Sequence, residues 1–387
     1  MTLAFIAMVM AVLATAAIQV SMRGESSSHV SWGQPVAFAL NPEGGGLWMV
    51  TRAAPGEGGN QGSLVQFDGM SGKPMRTYRL KLDPVAAYFD LPGRRVFIVS
   101  LGLELGTPTE TVAGTVTAVD LSGKVIGVET SGIHPIGVAM DSSHTLLLVL
   151  NRGVPPGSGS VQALDPETLS ERGQVGTGIY PMSIEPHPSK EFAAVPNYVS
   201  QSLTLLATDG GRITAVEAPL GNQPGRTASV SFAASSDLVV AVSLSERTTK
   251  PARIPGRVDL YDMNNRTLRW SVDVDEPSTS AVAPSGVVLV IGETDSGFEV
   301  RALDLESGRT LYAIPATGEE VAITPAGNAV VLLPQKGIAR EFMPESGNVL
   351  CDLPLPVGEP RLVMGAAGVS VVSLSETRAR VSALRCD

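Results

Sequence analysis

Few side chains in this sequence could perform acid–base chemistry or bind a metal. Of its four histidines, His134 precedes a proline, and His144 and His187 lie in polar turns. No two of them have the spacing of a metal-ligand pair, and the sequence contains no H-E-x-x-H, no G-x-S-x-G and no Walker loop. A hydrolytic active site would need an acid–base cluster, and His134, Asp83 and Arg226 are the residues that offer one. Otherwise we expect the histidines to be surface or turn residues.

A conspicuous aspartate recurs along the chain, and its recurrence argues for a structural role. In the segment ALDLESGRTLY, Asp304 can accept hydrogen bonds from backbone N–H groups of a turn, and Gly308 can supply the positive φ that reverses the chain. In the related segment LYDMNNRTLRW we expect Asn264 and Asn265 to replace the glycine, because asparagine tolerates the left-handed region. The sequence therefore predicts hairpin turns at these acids.

The elements that carry these turns repeat with a regular period. Segments that resemble PVAFALNPEGGGLWMV begin at Pro35, Pro84, Pro135, Pro181, Ala228, Pro277, Glu320 and Pro360. Successive starts differ by 49, 51, 46, 47, 49, 43 and 40 residues, which is the period of a four-stranded propeller blade. The sequence predicts an all-β propeller of eight four-stranded blades, or of seven blades if one weak repeat is an insertion.

The eighth repeat has room for only three strands. We expect the segment HVSWG, at 29–33, to supply the missing outer strand, because pairing the two ends of the chain would remove both free sheet edges. The predicted domains are an anchor at 1–22, a linker at 23–29 and a propeller at 30–387.

Two groups of segments carry a resemblance to known propellers. TLLLVLNRG and EFAAVPNYVSQSLTLLATDGG resemble the YVTN-type repeats of surface-layer and lactonase-like proteins. ALDLESGRTLY and LYDMNNRTLRW resemble repeats of quinoprotein-like propellers. The resemblance implies the propeller fold for nearly everything after the anchor. Quinoprotein-like hairpins normally end in tryptophan, and because only Trp270 fits, the resemblance does not imply a quinone cofactor.

In a propeller blade, the connections after the second and fourth strands share one face. The long insertions all follow second strands, at 53–63, 102–114, 153–160 and 245–256. Long loops on a rigid scaffold are where binding residues concentrate, although these loops could also be neutral insertions. The residues at the channel mouth on this face are predicted to be Gln34, Asp83, His134, Tyr180, Thr227 with its neighbour Arg226, Glu276, Glu319 and Glu359.

Four of these mouth residues are carboxylates. Asp83, Glu276, Glu319 and Glu359 could together bind Ca²⁺, which takes six to eight oxygen ligands. Solvated acids beside prolines would give the same sequence pattern, so we expect no bound cofactor, with Ca²⁺ as the alternative.

Composition excludes one class of partner. The 387 residues are 43% hydrophobic and 17% charged, which is typical of a globular protein with a large core. The formal net charge is −10, and lysine and arginine are scattered. A nucleic-acid-binding surface needs concentrated positive charge, so the sequence predicts no nucleic-acid partner.

The N-terminus predicts attachment to a membrane. Residues 2–22 contain no charged side chain, and as a helix at roughly 1.5 Å per residue they would span about 31 Å, close to the bilayer core. The alternative is a cleaved signal peptide with an A-x-A site at 14–16, but no basic segment precedes it. We expect a single-pass anchor in a bacterial inner membrane, with the propeller in the periplasm.

The two cysteines bear on that location. Cys351 and Cys386 are predicted to lie near one face on neighbouring blades, where they could form a disulfide; two buried thiols are the alternative. The whole combination resembles accessory propeller subunits of bacterial energy-converting membrane assemblies, photosynthetic or respiratory. That resemblance implies a non-enzymatic scaffold subunit of an integral membrane protein complex. A periplasmic lactonase-like or quinoprotein-like enzyme is the alternative.

Overall fold

A computed structural model gives the fold of the chain from residue 34 to residue 383. Within these limits it describes all residues except 41–45, 53–61, 69–70, 81–82, 102–111, 155–156, 221–225, 235, 246–254, 295–296, 317–319, 357, 366–367 and 376–377. The predicted anchor at 2–22, the linker and the predicted closing strand at 29–33 lie outside the described residues. In the described part of the chain, no helix is long and apolar enough to cross a membrane.

The strands form eight separate antiparallel sheets, each made of consecutive strands. Blade 1 contains β1 (Pro35–Leu40), β2 (Leu47–Thr51), β3 (Ser63–Phe67) and β4 (Pro74–Arg79). Blade 2 contains β5 (Pro84–Asp90), β6 (Arg95–Ser100), β7 (Ala113–Asp120) and β8 (Val125–Ile133). Blade 3 contains β9 (Pro135–Met140), β10 (Leu147–Asn151), β11 (Ser158–Leu164) and β12 (Glu171–Ile179). Blade 4 contains β13 (Glu185–Pro186), β14 (Phe192–Asn197), β15 (Ser202–Ala207) and β16 (Thr214–Pro219).

The second half of the chain repeats the arrangement. Blade 5 contains β17 (Arg226–Phe232), β18 (Leu238–Leu244), β19 (Gly256–Asp262) and β20 (Thr267–Val274). Blade 6 contains β21 (Pro277–Ala283), β22 (Val287–Thr294), β23 (Gly297–Asp304) and β24 (Thr310–Pro315). Blade 7 contains β25 (Val321–Ile323), β26 (Ala329–Leu333), β27 (Ile338–Phe342) and β28 (Val349–Pro354). Blade 8 contains β29 (Glu359–Gly365), β30 (Gly368–Ser375) and β31 (Arg378–Ala383). The prediction of eight blades is confirmed, and the seven-blade alternative is wrong.

The core lies between the blades. The second strand of a blade is buried along most or all of its length, as in LWMVT of β2 and LLVLN of β10, because neighbouring sheets cover both of its faces. A strand buried on both faces reads as a continuous apolar run, which is why these strands were visible in the sequence. Phe97 and Val99 of blade 2, for example, pack against Leu147 and Val149 of blade 3.

The ring closes where blade 8 meets blade 1. Leu47 and Met49 of blade 1 pack in one cluster with Val363 and Val372 of blade 8. The Ala379 N–H of β31 also donates to the carbonyl of Gly72 over 3.0 Å.

The hairpin turns follow the predicted chemistry with one correction. Asp304 accepts a hydrogen bond from the Ser307 N–H at 2.8 Å, and Gly308 has a φ of 70°. In LYDMNNRTLRW, however, the left-handed residue is Arg266, with a φ of 55°. The prediction for Asn264 and Asn265 was wrong because Asn265 is used differently: both its N–H and its amide donate to Asp262.

Aromatic residues on outer strands cover turn glycines of the next blade. Trp270 of β20 lies against Gly308 and donates from Nε1 to the Leu305 carbonyl over 2.8 Å. Tyr312 of β24 lies against Gly347 in the same way. Tyr78 of β4 lies so close to Gly123 that a Cβ there would be 2.0 Å from its ring. These aromatic–glycine contacts tie the outer edge of one blade to the next.

Candidate functional site

The mouth residues sit at corners where one blade begins. The carbonyl of the residue before a first strand, or in blade 4 before the isolated bridge at Pro181, accepts a hydrogen bond from the N–H of the residue after the second strand of the same blade. This bond joins Arg52 to Gln34 at 2.7 Å, Arg152 to His134 at 2.8 Å and Tyr198 to Tyr180 at 2.9 Å. The corners therefore share a face with the connections between second and third strands. We name this side of the disc the long-loop face.

The corner of blade 5 differs from the prediction. Thr227 is fully buried and pairs with Ser243 near the end of the second strand. The first proline of blade 1, Pro35, pairs in the same way with Thr51. The corner residue is consequently Arg226, and the prediction that Thr227 lies at the mouth is wrong by one position. Glu319 lies outside the described residues, and Glu359 begins β29.

Corner residues also make contacts across the junction to the preceding blade. At the junction of blades 1 and 2, Arg52 donates two hydrogen bonds to the carboxylate of Asp83, at 2.8 and 2.5 Å. Asp83 is buried, and the Arg52 guanidinium binds both of its carboxylate oxygens. Among the described residues there is no group of three or more His, Cys, Asp or Glu side chains that could hold a metal ion.

The junctions of blades 3, 4 and 5 carry arginine and tyrosine instead. The Arg152 guanidinium lies over the Tyr180 ring at 4.4 Å, and the Tyr180 and Tyr198 rings are 5.9 Å apart. The Arg226 guanidinium lies over the Tyr198 ring at 5.1 Å, and Nη1 donates to the Tyr198 hydroxyl over 2.9 Å. These four residues form one continuous cation–aromatic stack across three blades, which we name the Arg–Tyr stack.

Arg152 is the half-buried end of this stack. Its Nη1 donates a long hydrogen bond to the Tyr180 hydroxyl at 3.4 Å, and its Nε is buried without a hydrogen-bond partner among the described residues. Burial lowers the pKa of Arg152, while the neighbouring Tyr180 opposes that effect. No carboxylate pairs with Arg152 in the described part of the chain.

The structure does not assemble the predicted hydrolase cluster. Asp83 lies at the junction of blades 1 and 2, where Arg52 holds it. His134 lies at the start of blade 3, with Nδ1 3.1 Å from the Gly153 carbonyl. Arg226 lies at the junction of blades 4 and 5. The three side chains thus belong to different junctions.

The other two histidines considered lie on the opposite face, as turn residues. His187 is fully buried and bridges blades 4 and 5 through Nε2, which lies 2.9 Å from the Ser236 carbonyl. Its Nδ1 accepts hydrogen bonds from the Ser189 and Lys190 N–H groups at 3.1 Å each. His144 is exposed in the corresponding turn of blade 3.

Two carboxylates lie on or directly before the first strand of a blade. Glu320 binds Arg361 at 2.7 Å and also accepts the Leu362 N–H. The side chain of Glu185, on the short strand β13, has no hydrogen-bond or ion-pair partner among the described residues. This side chain is exposed to solvent, but the protein atoms around it disfavour its charged form and raise its pKa to about 7.

A groove of about 510 Å³ lies on the opposite face, between the turns of blades 3 and 4. His144, Asp165, Glu167, Arg172 and Glu191 line it. Two of its acids are already neutralised, because Asp165 pairs with Arg172 and Glu167 pairs with Arg95. Most of the charged side chains named here are therefore already paired within the protein.

Cys351 lies within the outer strand of blade 7, β28, and is disulfide-bonded. The other cysteine of the chain, Cys386, lies outside the described residues, so their pairing stays a prediction.

Comparison with known proteins identifies the fold alone. No protein-family model and no curated protein matches this sequence. Among solved structures, the chain is similar to the Dos1 propeller at 12% identity and a TM-score of 0.63, over 91% of this chain and 94% of that one. It is similar to hydrazine synthase of Kuenenia stuttgartiensis at 15% identity and a TM-score of 0.53, over 79% and 96%. A third similar structure is the Cps50 (Swd1) propeller domain of Myceliophteria thermophila, at 14% identity and a TM-score of 0.51, over 78% and 97%.

Sequence reasoning missed two members of the Arg–Tyr stack. Arg152 and Tyr198 each directly follow the asparagine that ends a second strand, in Asn151-Arg152 and Asn197-Tyr198. Arg52 follows Thr51 at the same place in blade 1. Aligning the repeats on the ends of second strands, rather than on the starts of first strands, would have shown these residues.

Proposed function

We propose that this protein is a membrane-anchored β-propeller that serves as a non-enzymatic scaffold subunit of a larger integral membrane protein complex. The proposed complex is an energy-converting assembly of the bacterial inner membrane, of the photosynthetic or respiratory kind. Residues 2–22 anchor the chain in the lipid bilayer, and the propeller lies in the periplasm. Its repeats belong with the YVTN-type and quinoprotein-like propellers that they resemble.

The Arg–Tyr stack is the observation that carries the proposal. Arginine and tyrosine are the residue types that dominate binding energy at protein interfaces, since they combine large contact area with directional donors. Here Arg152, Tyr180, Tyr198 and Arg226 are held together on a rigid scaffold. They share the long-loop face with the insertions after second strands, where a partner has room to bind.

The disulfide of Cys351 supports the proposed location. Disulfides persist in oxidising compartments such as the periplasm and are rare in the cytosol.

Purification from native membranes tests the scaffold function. After mild detergent solubilisation, we expect the protein to elute well above its own mass of 40.2 kDa and to bring integral membrane proteins with it. Mass spectrometry of the fraction would identify them. Elution of the chain alone would contradict the proposal.

One observation favours the alternative of a periplasmic lactonase-like or quinoprotein-like enzyme. Glu185 is an exposed carboxylate on a first strand with a pKa of about 7, a value suited to general acid–base catalysis. If purified protein hydrolysed lactones and lost that activity on Glu185→Gln or on substitution of His134, the enzyme would replace the scaffold as the better function. Unchanged hydrolysis in these variants would indicate a contaminant.

A further inference from the structure

Two blade junctions have an arginine at the same position, and the residue that contacts the arginine differs between them. Arg52 and Arg152 occupy equivalent places, because each directly follows a second strand and donates its N–H to the corner carbonyl of its own blade. The corner residue of the next blade is Asp83 in the first case and Tyr180 in the second. The chain therefore neutralises Arg52 with its own carboxylate and leaves Arg152 against an aromatic ring.

The position of Arg152 allows its guanidinium to form an ion pair with a bound carboxylate. One side of the guanidinium rests on the Tyr180 ring, which holds the group in a fixed orientation. Arginine has five N–H donors in a planar fork that matches a carboxylate. The hydrogen bond to the Tyr180 hydroxyl, at 3.4 Å, uses one of them. Because Arg152 is half-buried, an ion pair formed there would be screened less than one on an open surface.

We propose that the Arg–Tyr stack binds an acidic segment of the partner protein, with a glutamate or aspartate carboxylate of that segment pairing with the Arg152 guanidinium as Asp83 pairs with Arg52. The inference rests on the proposed scaffold function and names the chemistry of the partner. Tyr180 and Tyr198 supply the flat apolar surface on which the rest of the segment packs, and Arg226 adds a second guanidinium at the far end of the stack.

The overall charge of the chain makes this chemistry selective. With a net charge of −10, the surface as a whole repels acidic segments, so binding depends on a local positive group. A segment with several carboxylates would engage Arg152 while its other acids remain solvated.

The test uses the full-length protein in detergent micelles and a fluorescein-labelled octaglutamate peptide. Fluorescence anisotropy should show saturable binding that weakens as NaCl is raised. An octaglutamine peptide should bind at least tenfold more weakly. Arg152→Gln should weaken octaglutamate binding roughly tenfold, because it removes the guanidinium from a partly desolvated ion pair.

A second substitution introduces a carboxylate partner, which Arg152 lacks among the described residues. Tyr180→Asp should reproduce the arrangement of Arg52 and Asp83 and so occupy Arg152 from within. Tyr180 has a φ of 61°, which aspartate tolerates at least as well as tyrosine, so the variant should fold. We expect its octaglutamate affinity to fall roughly tenfold while its midpoint of unfolding stays the same or rises.

Arg52→Gln is the matched control. It removes an arginine from an equivalent corner whose charge is already neutralised, and octaglutamate affinity should stay within twofold of the original protein. Equal weakening by Arg52→Gln and Arg152→Gln would overturn the site, as would full affinity in Tyr180→Asp. Displacement of the peptide by inorganic phosphate at equal concentration would also overturn it, because the site would then be a general anion site.

Co-purification distinguishes the acidic-segment site from the proposed scaffold function. If the Tyr180→Asp protein is still recovered with a membrane complex, the scaffold function stands and the acidic-segment site fails. If the original protein binds octaglutamate but is never recovered with a complex, the site stands and the scaffold function fails.

Discussion

Asp165 shows at the scale of single residues how a turn aspartate is kept ionised. Hydrogen bonding from Arg172, followed by the Thr168 and Glu167 N–H groups, lowers the pKa of Asp165 to about 2. At Asp262, burial alone would raise the pKa, but the Asn265 N–H and the Arg269 guanidinium outweigh burial and lower it to about 2. Turn acids of this kind stabilise the fold only while they are charged.

The contribution of Asp165 to the free energy of unfolding should therefore decrease at acid pH. Because its folded pKa lies below the ordinary value of 3.8, the contribution is complete above about pH 4 and is lost as the pH falls towards 2. Asp165→Asn should lower the free energy of unfolding near pH 6, and the difference from the original protein should shrink progressively as the pH falls from about 4 towards 2. Urea titrations at several pH values measure this, and a constant difference at every pH would contradict it.

Residue roles were only partly visible in the sequence. The turn role of Asp304 followed from its recurrence, since a feature repeated in many blades belongs to the fold. The partners of Asp83 and Tyr180 did not follow, because Arg52 and Arg152 come from the neighbouring blade and no local pattern joins them. The corner of blade 5 was misplaced because Thr227 stands where blades 1, 2 and 6 have their first proline, so no proline marked the start of this repeat.

At the scale of elements, the aromatic–glycine contacts join the outer strand of one blade to a hairpin turn of the next blade. Tyr78, Trp270 and Tyr312 each stand on an outer strand and cover a turn glycine of the following blade. Gly123, Gly308 and Gly347 all have positive φ, so each glycine serves both the turn and the close approach. The period of the repeat predicted the hairpins, but contacts between blades depend on which side chains face each other across the junction.

Gly123→Ala should be markedly destabilising. A Cβ would be strained by the φ of 85° and would lie 2.0 Å from the Tyr78 ring, and the two effects together should lower the free energy of unfolding by roughly 2–4 kcal/mol. Gly286→Ala is the control, because Gly286 has a φ of 80° but no atom lies within 4 Å of the place that a Cβ would take. It should cost about 1–2 kcal/mol. Equal costs in urea unfolding would show that the contact with Tyr78 contributes nothing.

The whole molecule is a ring whose stability depends on closure. Each blade packs mainly on its two neighbours, and the eight-blade architecture was predictable because the period, the turn residues and the apolar second strands agreed along the chain. The Arg–Tyr stack was harder to predict. Its side chains come from three blades, and their distance in sequence hides their proximity.

The disulfide should stabilise the closed ring. If Cys351 pairs with Cys386, reduction releases a loop of about 35 residues, and Cys351→Ser should lower the free energy of unfolding by roughly 3 kcal/mol. Thiol reductant should lower the melting temperature of the original protein and leave that of the variant unchanged. Mass spectrometry of unreduced digests should recover the two cysteine peptides joined; two alkylated free thiols would refute the pairing.

The contact between the first and last blades also sets an order of events during synthesis. The apolar face formed by Leu47, Met49, Val65 and Phe67 finds its partners, Val363, Val372 and Ala379, at the far end of the chain. Blade 1 therefore leaves the ribosome with this face uncovered, and it stays uncovered until the last strands have emerged. A protein folding outside the cytoplasm would need a chaperone to shield that face until export is complete, and truncation before blade 8 would leave it permanently exposed to aggregation.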